Sequence, residues 1–470
     1  MKILARAIIL ALGTVGFVAT AHAATFVVTA NGNGFDNKLA SKIEAAGGTI
    51  TARLPQIGVA IVESGHADFA TRAAKIPGVH SAVNDIVIQF ELPEGKETIQ
   101  ASFANPPNSG DNDAFFDLQW GHAAIDAAGA WNAGHRGAGV KVAVLDSGLY
   151  CSHVDIAPNL IGGASFVPSE PNFCNTSGSS HGTHVAGTIL AADNGIGTIG
   201  VAPLSKLLAV KVLSAASGSG SFAGIIQGIV YAADQGADVI NMSLGVSGGL
   251  PVNGQGANAI RELINATARA TRYARSQNAL VVVAAGNDGR DLDKDSSTRV
   301  CDSAGANCFN MNLMAFPAEL PGVLSISALA PEGWAKTFNN VGFDELASYS
   351  SYGVTGISFS APGGDFRYPG NEACSRTLGN GQTIVNACWV FDMVLSTATG
   401  TGGYSWNAGT SMAAPHVSGV AALIIGKNGG SMAPAHVERI LRASADDLGK
   451  PGKDAVHGIG RVNAAKAVAH

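Results

Sequence analysis

Apolar and polar positions follow two different patterns along the chain, and the first covers residues 25 to about 90. Short apolar runs alternate there with helically spaced segments in the order β-α-β-β-α-β. The expected strands are residues 25–29, 49–54, 58–63 and 79–88, and the expected helices are residues 36–46 and 67–75. This order predicts a small split βαβ sandwich. Residues 91–113 are rich in Pro, Asn, Ser, Gly and charge, which predicts an exposed linker that proteases can reach.

The second pattern extends from about residue 113 to the end. Long apolar runs without alternation are separated by helical patterns. The expected strands are residues 140–145, 207–213, 238–244, 279–285 and 322–329, and the expected helices are residues 181–192, 222–235, 257–276, 411–427 and 434–443. Strands that are apolar throughout are typical of parallel sheets covered on both faces. We therefore expect an α/β layered domain whose site lies at the carboxyl ends of the strands.

The first 23 residues have the pattern of a secretory signal peptide. Lys2 and Arg6 precede a short apolar core at residues 7–19, and residues 21–23 form a small-x-small cleavage site. No later apolar run is long enough to cross a membrane. The sequence thus predicts an exported protein with no membrane-spanning segment in its mature part.

Six cysteines, all after residue 150, favour disulfides in an exported chain. The local pairs are Cys151–Cys174, Cys301–Cys308 and Cys374–Cys388, but fifteen pairings are possible for six cysteines, so the connectivity stays open. The formal net charge is only −6, with 14% charged residues, so neither nucleic acid nor an anionic membrane is expected as a partner.

Four polar residues stand at the ends of these predicted elements. Asp146 follows the strand at 140–145, His181 begins a helix of small residues, Asn287 follows the strand at 279–285, and Ser411 precedes an apolar helix. Taken singly, each has an ordinary explanation, since Asp and Asn are common in turns and Ser is a common helix cap. His184, one helical turn after His181, suits a buried structural role better.

The runs around these residues carry a family resemblance. DSG at 146–148, HGTHVAG at 181–187 and GTSMAAPHVSG at 409–419 match signatures of the subtilisin family of secreted serine proteases nearly letter for letter. The order Asp, His, Ser along the chain is also that of subtilisin. The resemblance covers residues from about 113 to the end, and residues 25–90 resemble the family's inhibitory propeptide.

The resemblance implies a three-layer subtilisin-like domain with a mostly parallel sheet, preceded by a small α+β, ferredoxin-like propeptide domain. The implied division is a signal peptide at residues 1–23, a propeptide and linker at 24–104, and a protease domain at 105–470. The propeptide would act as chaperone and inhibitor, and the enzyme is expected to be a monomer. If the linker is cut between about Gln100 and Ser109, the mature enzyme begins just before Asp113.

The resemblance also implies an acyl-enzyme mechanism. In it, His181 is the general base, Asp146 orients His181, Ser411 attacks the substrate, and Asn287 stabilises the oxyanion. An esterase of the α/β-hydrolase class is a rival, but its Gly-x-Ser-x-Gly elbow and its later acid and histidine are missing here. A non-enzymatic binding protein on a protease scaffold is a second rival, and it would have lost a catalytic residue.

The substrate-binding edges implied by the family are Ser243, Leu244, Gly245, Ala284, Ala285 and Gly286. Their small side chains, with no obvious acid placed to select Lys or Arg, predict broad specificity with an apolar P1 preference. Residues 214–221 form either a further subsite edge or a plain connector.

The resemblance also implies a structural Ca²⁺, although less strongly than it implies the catalytic residues. Three segments resemble those that surround this ion in many relatives. Its expected ligands are side-chain oxygens of Asp113, Asp155 and Asn194 and carbonyl oxygens of Ala192, Ile196 and Thr198. The alternative is a solvated loop with scattered acids. Insertions at 248–277 and 365–390 distinguish the chain from the shortest family members.

Overall fold

The computed structural model describes residues 23–95, 97–100, 111–254, 256–294, 298–301, 308–337 and 342–470. They fall into two compact units. The first consists of the described residues up to Asp85 with those of Leu250–Ala266 and Lys294–Met314, and the second consists of those of Ile86–Gly249, Thr267–Asp293 and Ala315–His470. The predicted signal peptide, apart from its last residue, and most of the predicted cut region lie outside the described residues.

The strands are numbered in chain order: β1 Ala24–Ala30, β2 Thr49–Leu54, β3 Val59–Ser64, β4 Val79–Asn84, β5 Val87–Gln89, β6 Glu97–Gln100, β7 Lys141–Asp146, β8 Leu160–Ser165, β9 Lys206–Lys211, β10 Ser219–Ser221, β11 Val239–Met242, β12 Leu250–Pro251, β13 Leu280–Ala284, β14 Thr298–Cys301, β15 Cys308–Met311, β16 Leu313–Met314, β17 Val323–Ala330, β18 Glu345–Leu346, β19 Phe359–Pro362, β20 Ala373–Thr377, β21 Thr383–Ala387, β22 Val394–Thr397 and β23 Gly403–Asn407.

The α-helices are α1 Asn37–Ala45, α2 Phe69–Ala73, α3 Trp120–Ala124, α4 Ala127–Asn132, α5 His181–Leu190, α6 Phe222–Asp234, α7 Ala257–Ser276, α8 Cys388–Phe391, α9 Thr410–Lys427, α10 Pro434–Ser444 and α11 Ala464–Ala469. Among the described residues, no helix combines the length and the apolar character that a membrane crossing requires.

The first unit contains a four-stranded antiparallel sheet in the order β2-β3-β1-β4. Its chain order, β1-α1-β2-β3-α2-β4, is the one that the sequence predicted. Helix α1 begins after Asp36, whose Oδ1 accepts a hydrogen bond of 2.7 Å from the Leu39 backbone N–H. A core that includes Phe26, Ile43 and Phe69 joins the helices to the sheet. The predicted second helix is shorter than expected and covers only Phe69–Ala73.

The second unit is built on an eight-stranded sheet in the order β18-β17-β13-β11-β7-β9-β8, with β19 also paired to β17. All of these pairs are parallel except that of β17 with β18. The five strands predicted for this part are β7, β9, β11, β13 and β17, and the five predicted helices are α5, α6, α7, α9 and α10. Each lies within two residues of its predicted bounds.

Helices cover both faces of this sheet. Val144 of β7 and Ala209 of β9 belong to the same apolar core as the buried residues of α9. The neighbouring residues, Leu145 and Val210, lie against α6 at Gly228. Because successive side chains of a strand point to opposite faces, α9 and α6 lie on opposite sides. The predicted three-layer α/β architecture is therefore confirmed.

Two predictions for residues 79–113 need correction. The expected strand at 79–88 ends at Asn84, because β5 leaves it and pairs antiparallel with β10 of the second unit. Part of the expected free linker is also structured, since β6 is the third strand of a small antiparallel sheet in the order β22-β23-β6. In both cases the partner strand lies more than 100 residues away, and the local composition of the segment gives no sign of it.

Two of the local cysteine pairs, Cys151–Cys174 and Cys374–Cys388, form disulfides. The second joins the start of the β20-β21 hairpin to α8, within the predicted insertion at 365–390. The side chains of the third pair lie outside the described residues, so the Cys301–Cys308 bond stays a prediction.

Candidate active site

Asp146 and His181 form a buried hydrogen-bonded pair at the end of β7. The carboxylate accepts from His181 Nδ1 at 2.8 Å and 3.0 Å to its two oxygens, and its Oδ1 also accepts from the Ser147 backbone N–H at 2.7 Å. A proton on Nδ1 leaves Nε2 as the basic nitrogen of the neutral ring. That Nε2 has no hydrogen-bond partner within the described residues. The pair is therefore arranged to accept a proton at Nε2.

A glycine allows the start of α5 to approach the aspartate. His181 is the first residue of α5, and its backbone N–H is held by Ser179 Oγ at 3.1 Å. Gly182 follows, and a Cβ there would overlap the carbonyl oxygen of Gly148 and lie 3.1 Å from Asp146. The HG pair in the sequence thus brings the helix close enough for the histidine to reach its acid.

Ser411 lies in the first turn of α9, as the sequence predicted. The helix begins one residue earlier, at Thr410, and the serine is 2% exposed. Its hydroxyl donates to the Ser243 carbonyl at 3.2 Å, and Ser243 Oγ donates back to the Ser411 carbonyl at 2.8 Å. No Ser411–His181 hydrogen bond is formed in this structure. Such bonds are often long or poorly aligned until the reactive complex forms.

Asn287 has its amide fixed by Thr410, a residue that the sequence reasoning missed. Its Oδ1 accepts from the Thr410 backbone N–H at 2.9 Å and from Thr410 Oγ1 at 2.8 Å. Thr410 Oγ1 in turn accepts from the Gly286 backbone N–H at 3.1 Å. Because Thr410 engages the oxygen of the Asn287 amide, the N–H groups of that amide remain available to donate into the pocket beside Ser411.

That pocket combines small apolar walls with two acids. It is lined by Glu91, Gly245, Val246, Ser247, Ala284, Gly286, Asn287, Asp288, Thr410 and Ser411. The predicted edge residues Gly245, Ala284 and Gly286 therefore line it.

The other predicted edge residues, Ser243, Leu244 and Ala285, are buried beside the pocket. The pocket is also lined by Asp288, an acid that the sequence reasoning did not place there. Its carboxylate accepts from the Gly248 backbone N–H at 3.0 Å, a contact that depends on a loop 40 residues away.

A buried lysine lies behind the aspartate. Lys211 ends β9 directly opposite Asp146 and has no exposed side-chain surface. Its Nζ donates to the Ser147 carbonyl at 2.6 Å and to Asn175 Oδ1 at 2.7 Å, and it pairs with Glu170 at 2.8 Å. Burial lowers the pKa of Lys211, while Glu170 and Asp146 oppose that shift.

His184 has the surroundings of a structural residue. Its Nε2 lies 3.1 Å from the Val394 carbonyl and 3.0 Å from the Ser405 carbonyl, which anchor the ring between two strands. Burial, and after it the neighbouring His181, lower the pKa of His184 to about 3. The ring is therefore neutral at ordinary pH.

The residues predicted to hold Ca²⁺ converge around Asp155. Its carboxylate accepts from Asn194 Nδ2 at 3.1 Å and from the Thr198 backbone N–H at 3.2 Å. The Ala192 N–H donates to the Asp155 carbonyl at 2.9 Å. The Ile196 N–H donates to Asn194 Oδ1 at 2.8 Å.

Asp113 joins this group, because its Oδ1 lies 3.3 Å from the Asn194 backbone N–H. Asp113 Oδ2 and Thr198 Oγ1 are buried without a partner among the described residues. Burial and the neighbouring Asp111 raise the pKa of Asp113, and burial raises that of Asp155 to about 7. Crowded, buried oxygens of this kind fit a hard divalent cation such as Ca²⁺.

Three further contacts at this cluster were missed by the sequence reasoning. Oxygens of Asp111, Asp113 and Asp193 lie within 4.8 Å of one another. Arg136 bonds Asp193 at 2.7 Å, and Tyr404 donates to Asp155 at 2.8 Å from a strand nearly 250 residues away. Long sequence separation explains why no local pattern pointed to them.

Comparison with known proteins agrees with this geometry. The family described as "Subtilase family" matches residues 137–460. Subtilisin Savinase of Lederbergia lenta is 37% identical over 352 residues, which are 74% of this chain and 98% of that protein.

Among solved structures, the keratinolytic enzyme fervidolysin of Fervidobacterium pennivorans aligns with a TM-score of 0.66 and 26% identity over 96% of this chain and 61% of that one. The chain thus spans less than two thirds of fervidolysin. The epidermin leader peptide processing protease EpiP of Staphylococcus aureus, at 22% identity and a TM-score of 0.69 over 95% and 98% of the two chains, shares the fold.

The fold and these relatives define a serine peptidase of the α/β type. More narrowly, the chain belongs to the subtilase family.

Proposed function

We propose that the protein is a secreted serine endopeptidase that hydrolyses internal peptide bonds of polypeptides through Asp146, His181 and Ser411. The observation that carries this proposal is the buried Asp146–His181 hydrogen bond of 2.8 Å, with Nε2 left without a partner among the described residues. Ser411 stands in the first turn of the neighbouring helix α9. A base, its orienting acid and a nucleophile are the parts that acyl transfer requires.

The chemistry uses two proton transfers at His181. Nε2 takes the Ser411 hydroxyl proton as the oxygen attacks the substrate carbonyl, and then gives it to the departing amine. Asp146 keeps the proton on Nδ1 and stabilises the imidazolium. Water then enters and releases the acyl group from Ser411 by the same transfers in reverse order.

The oxyanion is held by the Asn287 amide and the Ser411 backbone N–H. The hydrogen bonds from Thr410 to Asn287 Oδ1 support this role, because they fix the amide before substrate arrives. A donor that is already in place needs no reorganisation during the reaction. Loss of one such donor costs about 3 kcal/mol of transition-state stabilisation.

We further propose broad specificity with a preference for apolar P1 side chains. The walls contributed by Gly245, Val246, Ala284 and Gly286 support this preference. Asp288 lies at the same pocket but already accepts hydrogen bonds from the backbone of Gly248. The backbone of residues 243–245 and 284–286 would pair with an extended substrate.

A precursor that matures after export completes the proposal. Residues 1–23 would direct export, residues 24–104 would serve as propeptide and linker, and residues 105–470 would form the protease. Asp113, Asp155, Asn194 and the carbonyl oxygens of Ala192, Ile196 and Thr198 would hold a structural Ca²⁺. The ion would neutralise buried carboxylates and brace the loop, and it takes no part in bond cleavage.

The decisive variant is Ser411→Ala, which removes the nucleophile and little else. We expect an intact precursor that neither digests casein nor reacts with a fluorophosphonate probe. Activity should fall by roughly six powers of ten, as for loss of a nucleophile in such a site. Gel analysis of casein and labelling by the probe give the two readouts.

Ser418→Ala is the matched control, because Ser418 lies on the same helix and donates to Asn241 Oδ1, away from the pocket. It should lose some stability and keep its probe labelling. Casein digestion by Ser411→Ala at the wild-type rate would contradict the proposal.

A further inference from the structure

A stretch of the protein's own chain lies on the active site like a bound peptide. Strand β5 pairs antiparallel with β10. The Phe90 N–H then donates to the Gly218 carbonyl at 3.2 Å, and the Glu91 N–H donates to the Gly245 carbonyl at 3.3 Å on the other side. Successive backbone groups are thus bonded to two different enzyme edges. This is how an extended substrate is held between two strands.

Glu91 lies at the pocket next to Ser411. Both residues line this cavity, and the side chains of Ser247 and Asn287 interact with the Glu91 carboxylate and partly offset the rise in its pKa that burial causes. The preceding Phe90 is 2% exposed. The pocket that would receive a P1 side chain therefore holds a residue of this chain.

After Glu91 the chain continues on the other side of the serine. The Pro93 carbonyl accepts from Asn407 Nδ2 at 2.9 Å, and Pro93 Cγ lies 2.9 Å from where a Cβ on Gly409 would be. Four residues later β6 pairs with β23, the strand that leads to Ser411. The segment thus enters along β10, fills the pocket with Glu91 and leaves along β23.

We propose that the peptide bond between Glu91 and Leu92 is the first bond that the enzyme cuts in its own chain. The proposal rests on the function proposed above and adds the substrate position. Ser411 Oγ bonds to the Glu91 carbonyl carbon while its proton passes to His181. The bond to the Leu92 nitrogen breaks, and that nitrogen takes the proton. Water then hydrolyses the ester, leaving a carboxylate on Glu91 and a free amine on Leu92.

The pocket is a poor one for a glutamate, which makes this first cut slow. Asp288 is the other ionisable residue among the described pocket residues, and it places a second negative charge near Glu91. Burial, and after it Asp288, raise the pKa of Glu91. After the cut, the new terminal carboxylate adds a third negative charge. Repulsion among the three favours departure of the released end.

The test follows the purified full-length precursor by intact mass and N-terminal sequencing during maturation. We expect the first large fragment to begin at Leu92 and its partner to end at Glu91. Later trimming within residues 100–109 is compatible with this result. A first fragment that begins elsewhere would overturn the inference, even if casein is digested. If neither the precursor nor casein is cut, the proposed function itself fails.

Two matched variants test the role of the glutamate in the pocket. Glu91→Gln keeps the shape and removes the charge beside Asp288, so maturation should be roughly threefold to tenfold faster because the repulsion between the two carboxylates is lost. Glu94→Gln removes the same charge from an exposed position three residues on and should mature at the wild-type rate. Equal rates for all three proteins would contradict the placement of Glu91 in the pocket.

A synthetic peptide of residues 86–97 keeps the test decisive if a variant precursor folds poorly. Mature enzyme should cut it after residue 91, and its Glu91→Gln version faster at the same bond. Cutting at any other bond in both peptides would count against the assignment.

Discussion

At the scale of single residues, Lys211 and Glu170 connect Asp146, the proposed orienting acid, to the loop that precedes β10. Lys211 holds the carbonyl of Ser147, directly after Asp146. Glu170 accepts from Ser214 Oγ and, at 2.9 Å, from the Ala215 backbone N–H at the start of the loop before β10. Burial raises the pKa of Glu170, but the hydrogen bond with Lys211, followed by those with Ser214 and Ala215, outweighs it and lowers that pKa to about 2. We infer that the pair positions this loop relative to the nucleophile and its base.

Substitution Glu170→Gln should therefore affect substrate binding more than the chemical step. The loop would lose part of its anchor, while Asp146, His181 and Ser411 stay in place. We expect KM for a peptide substrate to rise roughly threefold to tenfold, which corresponds to about 1 kcal/mol for a weakened charged hydrogen bond. The kcat value should change by less than about twofold. Steady-state kinetics on the mature enzyme measure both.

Glu372→Gln is the control for this prediction, since its ion pair with Lys336 is half exposed. It should leave both constants unchanged. If Glu170→Gln instead lowered kcat and left KM unchanged, Glu170 would not act by positioning this loop.

Some of these residues could be predicted and others could not. Asp146, His181, Asn287 and Ser411 each stand at a strand end or helix start inside a distinctive local run, so the sequence alone indicates them. Thr410, Lys211 and Glu170 matter through partners 36 to 123 residues away along the chain. The presence of Asp288 at the pocket was missed for the same reason. Asp288 was visible in the sequence, but its direction depends on the fold.

At the scale of elements, the loop at residues 192–198 is shaped by Tyr404 of β23. Gly197 has φ +59, and a Cβ there would overlap the Tyr404 hydroxyl, which is bonded to Asp155. The Gly197 carbonyl also accepts from the Phe115 N–H at 2.7 Å. Any side chain at Gly197 would separate Tyr404 from Asp155 and distort the proposed Ca²⁺ ligands.

Gly197→Ala should therefore abolish the stabilising effect of Ca²⁺. We expect the Tm of Ser411→Ala precursor to rise on addition of Ca²⁺ and to fall with a chelator, and this response should vanish when Gly197→Ala is added. Thermal unfolding across a Ca²⁺ titration measures it.

Gly400→Ala is the matched control, because Gly400 has φ +76 and a Cβ added there would meet no described heavy atom within 4 Å. It should lose about 1 kcal/mol from backbone strain and keep the full Ca²⁺ response. A normal response in Gly197→Ala would contradict the proposed ligand set.

Some elements can be predicted from the hydrophobic pattern alone. Five strands are buried on both faces, so each is a continuous apolar run in the sequence that indicates a strand; they are β7, β9, β11, β13 and β17. Strands β5 and β6 are short and half polar, and they exist because distant strands offer them backbone partners.

At the scale of the molecule, burial of neutral histidines in the second unit links stability to pH. Burial lowers the pKa of His122 well below 6.5, and it lowers that of His416 to about 4. The unfolded chain takes up these protons below about pH 6.5, whereas the folded one does not. The free energy of unfolding therefore decreases as pH falls from about 6.5 and levels off below the folded pKa values.

His122→Phe should reduce this acid sensitivity. One fewer proton is taken up on unfolding, so the slope of stability against pH should shrink by about 1.4 kcal/mol per pH unit between about pH 6 and 5. The slope is the readout, because the absolute stability also changes with packing. Denaturant unfolding in a Ser411→Ala background avoids self-digestion.

His436→Gln is the comparison, since His436 is exposed and should leave the slope as it is. A slope in His122→Phe equal to that of the parent would mean that His122 is protonated in the folded protein.

The pairing of β6 with β23 has a consequence for the finished enzyme. While β6 is present, it covers the backbone edge of Gly403, Tyr404, Ser405 and Trp406. If the proposed maturation releases β6, this backbone edge becomes free to pair with the residues that follow the cleaved bond of a polypeptide substrate. Under the proposed function, whole proteins would then gain backbone contacts that short peptides lack, and the position of β6 in the precursor would mark where the mature enzyme binds that part of its substrates.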